Sequence, residues 1–66
     1  MEITIQQYRE FYKICFQLTH QFNWYLRWVE QVPGGEVVAI AQSPENFSRR
    51  IIITIKKNGQ TSYGTT

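Results

Sequence analysis

Apolar residues recur at Tyr8, Phe11, Tyr12, Cys15 and Leu18, spacings of three and four that line one side of an α-helix. Arg9, Lys13 and Gln17 fall on the opposite side, while Ile14 and Phe16 flank the stripe and broaden it. Thr4 followed three residues later by Gln7 is a capping-box signature, so the helix is expected to begin there. Its end is less sharply marked, because no Gly or Pro interrupts Thr19 to Val32. A single rod reaching Val32 would be more than twice the usual helix length of about 11 or 12 residues. It would also set Trp24 and Trp28 beside Lys13, Gln17 and Gln21, opposite the apolar stripe. Read with period two, Phe22, Trp24, Leu26 and Trp28 share one face and Asn23, Tyr25 and Arg27 the other. Residues 21–31 thus admit a helix continuation or a strand, and the hydrophobic phase favours the strand.

Downstream, Val32-Pro33-Gly34-Gly35 predicts a hairpin turn into a strand at Glu36 to Gln42 (EVVAIAQ). Ser43-Pro44-Glu45 resembles the opening of one short helical turn. Arg50 to Lys56 (RIIITIK) predicts the next strand, ending near Lys57. Asn58-Gly59 predicts a tight type I′ hairpin, after which Gln60 to Tyr63 returns as a possible short fourth strand. The expected fold is α+β: one N-terminal helix packed on an antiparallel meander of three to four strands, a single small domain over residues 1–66.

Both central strands are apolar at odd and even positions alike, the pattern of strands covered on both faces. One helix covers only one face. In this arrangement Phe22, Trp24, Leu26, Trp28, Ile51, Ile53 and Ile55 meet Phe11, Cys15 and Leu18 on the helix side. Tyr25, Arg27, Val29, Ile52 and Thr54, with one parity of the middle strand, form a free surface and are the candidate partner-binding residues. The alternative is a β-bulge that mixes strand parity and turns the surplus isoleucine into core.

Composition narrows the ways so small a chain can be stabilised. A domain near this length buries only about 60% of the surface its unfolded chain exposes. One cysteine excludes an internal disulfide, and Cys15 with His20 cannot supply the ligands of a zinc site. Dense aromatic packing, from two Trp, four Tyr and four Phe, and self-association remain. No apolar run approaches the roughly 18 residues of a membrane span, and the N-terminus lacks the regions of a secretory signal, so a cytoplasmic protein is expected. No cofactor is expected either.

Candidate chemistry is sparse. Gly34-Gly35 lacks the further glycines of a phosphate-binding loop. Cys15 sits within a helical apolar stripe, where a thiol is ordinarily core. Glu2, Glu10, Glu30, Glu36 and Glu45 are scattered, with no spacing that pairs two of them as acid and base, and Asn46-Phe47-Ser48 matches a glycosylation acceptor only formally. The net charge of +2 is mild but uneven, with Arg49, Arg50, Lys56 and Lys57 in the last third. With Tyr25 and Arg27 these form the candidate surface for single-stranded nucleic acid, which an open aromatic and basic sheet face can stack. Against that reading stands Ile52 on the same face. The expectation is therefore a non-enzymatic protein-binding module. Its partner would be itself, as a homodimer, or a larger protein on which it acts as adaptor or inhibitor. Nucleic-acid binding is the alternative.

Overall fold

The computed structural model describes residues 3–65, and its helix α1 (Ile5–Gln17) starts where Thr4 and Gln7 place it. The Gln7 N–H donates to Thr4 Oγ1 at 3.1 Å and the Thr4 N–H to Gln7 Oε1 at 3.0 Å, the two reciprocal bonds of a capping box. The same Gln7 is wholly buried. Its Nε2 donates to the carbonyls of Gly35 (2.7 Å) and Ile55 (3.2 Å), and Thr4 Oγ1 donates to the Lys57 carbonyl at 2.6 Å. The cap therefore also latches the helix to the turns at one end of the sheet.

That latch sets which side of α1 faces inward. Gln7, Phe11, Ile14 and Leu18, spaced four, three and four, point to the sheet, while Tyr8 and Tyr12 are more than half exposed. The inward stripe is thus rotated from the expected one, with Ile14 replacing Tyr12 and Cys15 only partly covered. After Gln17 the helix widens into one further turn (Leu18–Phe22), which Asn23 ends by adopting a left-handed conformation at φ 56°. The N–H groups of Asn23 and Trp24 both reach the Leu18 carbonyl. Asn tolerates this conformation better than other non-glycine residues, and it stops the helix before both tryptophans. Phe22, expected on the inner strand face, belongs to this turn and is exposed.

Strands β1 (Tyr25–Gln31), β2 (Val37–Gln42), β3 (Arg50–Ile55) and β4 (Thr61–Thr65) pair antiparallel in chain order, so the tail does form a fourth strand. Ile14, Leu18, Val37, Ala39, Ala41, Ile53 and Ile55 make the buried core, with Phe11, Trp24, Leu26 and Ile51 packed against it. The two alanines at the centre of the sheet leave the helix room to approach.

A register shift interrupts β1. Leu26 pairs with Ala41 but Trp28 with Ile40, so Arg27 is an extra residue with no partner of its own. Beyond such a bulge the inside-out order reverses. Val29 joins Leu26 on the helix side, opposite Ala39, and Trp28 turns to the other side. Two expected placements are corrected by this one residue: Trp28 is not core, and Val29 does not lie on the free surface. The pairing of β2 with β3 is regular, so the bulge does not bring Ile40 or Ile52 inside.

Both hairpin turns have three-residue loops. The Gly35 N–H returns to the Val32 carbonyl and the Gly59 N–H to the Lys56 carbonyl. Asn58 keeps an ordinary negative φ, so Asn58-Gly59 is not the type I′ turn expected; Gly59, at φ 90°, supplies the positive φ that closes the loop. Gly35 cannot be replaced freely, since its φ of 91° lies where L side chains are strained; the Lys57 side-chain end beside it could move aside. The expected helical turn at Ser43 is a loop instead. Ser43 Oγ accepts the N–H groups of Glu45 and Asn46 at 3.3 Å each, and the buried Gln42 amide fills the loop, donating to the carbonyls of Ser43, Asn46 and Arg49.

Candidate interaction surface

Alternation along β2 and β3 sends Val37, Ala39, Ala41, Ile53 and Ile55 to the helix and Val38, Ile40, Ile52 and Thr54 to the other side. Among the described residues no helix or strand packs on that second side. Its centre is one row crossing all four strands in register: Trp28, Ile40, Ile52 and Gly64. The row is strongly graded. Trp28 at one edge is 45% exposed, and at the other edge a Cβ added to Gly64 would meet nothing within 4 Å. A neighbouring row runs Glu30, Val38, Thr54, Ser62. Val38, Ile40, Ile52 and Thr54 are β-branched, with few side-chain rotamers to lose on contact.

Of the expected partner-binding residues, the structure brings Ile52 and Thr54 to the middle of this surface and Tyr25 to its corner, where it pairs with Gln42. Arg27 stands at the bulge on the β1 edge, and Val29 is on the helix side. Sequence reasoning missed Trp28 and Gly64. The signal for Trp28 was the adjacent pair Trp28-Val29, two large apolar residues that a regular strand cannot both point inward. Gly64 lay beyond the expected end of the fourth strand.

The basic residues do not gather. Lys56 and Lys57 lie at the hairpin end of β3 and Arg49 and Arg50 at its other end, about 20 Å away along a strand of this length. The Arg49 guanidinium stacks over the Trp24 ring, 5.7 Å from its centre, and Trp24 is packed on the helix side. Arg50 faces Gln42, and Arg50 Nε and Gln42 Oε1 are buried without a hydrogen-bond partner among the described residues.

A second apolar feature runs along α1, where Ile5, Tyr8, Tyr12 and Phe16 are all exposed. Here the rings partner one another. The Tyr8 and Tyr12 hydroxyls are 3.2 Å apart with the rings edge to face, and Phe16 stacks on His20 at 4.1 Å. The hydroxyl bond to Tyr12 raises the Tyr8 phenol above its ordinary pKa. This ridge is narrow, whereas the sheet face is continuous across four strands.

Among the described residues, reactive groups form no comparable cluster. Burial pushes the Cys15 thiol up, away from the thiolate a nucleophile needs. His20 Nδ1 lies 3.1 Å from the Phe16 carbonyl and its ring stacks on Phe16. Among the described residues no group of three His, Cys, Asp or Glu could hold a metal ion, and no helix is long and apolar enough to cross a membrane. Glu2 lies outside the described residues. Compared with family models, curated proteins and solved structures, the chain matches none of them.

Proposed function

We propose that this chain is a non-enzymatic protein-binding module whose working surface is the helix-free side of its sheet. The observation that carries the reading is the Trp28–Ile40–Ile52–Gly64 row, an apolar strip that crosses four strands with no helix or strand packed over it among the described residues. Specific protein interfaces combine an apolar centre, an aromatic anchor and a charged rim. Here Ile40, Ile52 and Val38 are the centre, Trp28 the anchor, and Glu30, Arg27 and Lys56 the rim. The module acts by occlusion and burial, on a copy of itself or as adaptor or inhibitor on a larger protein, in the cytoplasm.

Single-stranded nucleic acid is the weaker partner for this face. Stacking would need bases laid on rings with phosphates tracked by cations, and Lys56 and Lys57 are a sheet length from Arg49 and Arg50.

The test replaces Ile52 with a photo-reactive phenylalanine analogue and, as control, Lys13 on the water-facing side of α1. Irradiation in cells is expected to give a discrete heavier species from position 52 and none from position 13. Equal yields from both positions, or none from 52, would remove the sheet face from consideration. A cross-link to nucleic acid from position 52 would transfer the face to the second reading.

A further inference from the structure

We infer that the occupant of the open sheet face is a second copy of this chain, packed face to face about a two-fold axis that runs along the strands between β2 and β3. The inference rests on the reading just proposed and specifies its partner.

The order of side chains along the central row selects one orientation. Sizes run from an indole at β1 through two isoleucines at β2 and β3 to no side chain at β4. A two-fold axis parallel to the strands carries each position on β1 over β4 of the other copy, and each on β2 over β3. Trp28 of one copy then stands over Gly64 of the other, where the space is empty. Ile40 meets Ile52, twice. In the next row Val38 meets Thr54 and the Glu30 carboxylate comes over the Ser62 hydroxyl, which can donate to it. One residue beyond the paired ladder, Glu36 of one copy comes to the side of the interface that carries Lys56 of the other, opposite charges at the rim. A two-fold axis at right angles to the strands does the reverse. It sets Trp28 against Trp28 and Gly64 against Gly64, a collision beside a void. The face is therefore complementary to itself in one orientation, with the knob and the hollow on the same row, as an isologous interface requires. That orientation is also the aligned class of sheet-on-sheet packing, rotated only by the twist of the sheets.

The area agrees. Four strands about 4.8 Å apart and five residues long at about 3.3 Å each present a footprint of roughly 300 Å². Allowing for side-chain relief, two copies remove on the order of 1,000 Å² from water, at the lower bound for a specific interface. Each copy gives up about a tenth of its 4832 Å² of accessible surface. An interface of that size makes a dimer that dissociates on dilution.

Gly64 gives a clean test, because its φ is not positive and the space beside it is open, so a strand-favouring side chain fits the single copy. Analytical ultracentrifugation of the purified chain from about 1 µM to 1 mM is expected to show monomer and dimer in exchange. Gly64→Val is expected to weaken the dimer at least tenfold while leaving the thermal midpoint of the diluted chain equal or higher. The exchanged pair Trp28→Gly with Gly64→Trp moves the knob to the other edge and is expected to recover most of what either single change loses. In a mixed sample of labelled and unlabelled chain, a nuclear Overhauser contact between the Trp28 indole of one copy and the Gly64 α-protons of the other is expected, and needs no variant. A dimer indifferent to Gly64→Val and lacking that contact would overturn this arrangement. A chain monomeric throughout would overturn the second copy as occupant. In that case a heavier cross-linked species from position 52 would leave the broader protein-binding reading standing, and its absence would end both.

Discussion

Along the single strand β3, Ile53 and Ile55 are 2% and 1% exposed, while Ile52 and Thr54, one residue away on the other side, keep part of their surface in water. The helix side is a finished core, closed by Ile14 and Leu18 and latched by Gln7. The open side has the same residue types, and among the described residues no helix or strand lies above them. Hydrophobicity therefore does not distinguish the two sides; cover does. A buried isoleucine contributes about 1.5–3 kcal/mol relative to one left exposed. Ile40 and Ile52 are partly shielded by their sheet neighbours, so the open side holds only the remaining fraction of that contribution in reserve until something covers it.

Substitution should separate the two sides by stability. Ile53→Ala opens a cavity between sheet and helix and is expected to cost about 2–5 kcal/mol, measured by urea unfolding of the dilute chain. Ile52→Ala, the same chemistry on the uncovered side, should cost under about 1 kcal/mol under the same conditions. Equal losses would mean that the open side is covered in the single chain, and the contrast would fail. Next in size is Gln7→Ala, which removes the buried amide donor from the Ile55 carbonyl and leaves the Gly35 carbonyl only the Gln31 amide, and is expected to cost about 1–3 kcal/mol. Amide exchange in Lys56 to Gln60 should rise with it, because the latch holds that end.

Deleting Arg27 sharpens the comparison at the point where β1 divides its residues between the sides. The bulge residue has no register partner, so its removal leaves Leu26 opposite Ala41 and Trp28 opposite Ile40. Stability should change by no more than about 1 kcal/mol, with Trp28 fluorescence still quenched by aqueous iodide. A blue-shifted, protected Trp28 would show that the bulge alone turns it outward. The smallest effect belongs to Cys15, whose thiol is pushed up by desolvation. An acid with a raised folded pKa favours folding while it stays protonated. This contribution is present below the unfolded thiol pKa and fades as pH rises through the folded one. Alkylation of the native chain should therefore titrate above the ordinary thiol value, and Cys15→Ser should remove a slight loss of stability on the alkaline side.

Much of the architecture was readable from local chemistry. Thr4 and Gln7 mark the helix start because both bonds of the capping box close within four residues. The strands at 37–42 and 50–55 announce themselves by β-branched runs, and the glycines at 34, 35 and 59 mark the turns. The widened turn ended by Asn23 was missed because it rests on one residue's tolerance of a left-handed conformation. The candidate surface was read more coarsely. Ile52 and Thr54 were placed on it from parity alone, but Val29 and Trp28 were exchanged, since parity fails across a bulge and no residue type announces one.

Taken by itself, the order of residues determined the α+β meander, the turn positions and the surplus of apolar side chains over one helix's capacity to cover them, all of which depend on neighbours a few positions apart. Tertiary structure alone decided that Gln7 latches the helix, that Trp28 points away from it, and that Trp28 and Gly64 end one row. Each of these depends on register between segments distant in the chain, and register is chosen by packing the whole sheet against α1 at once.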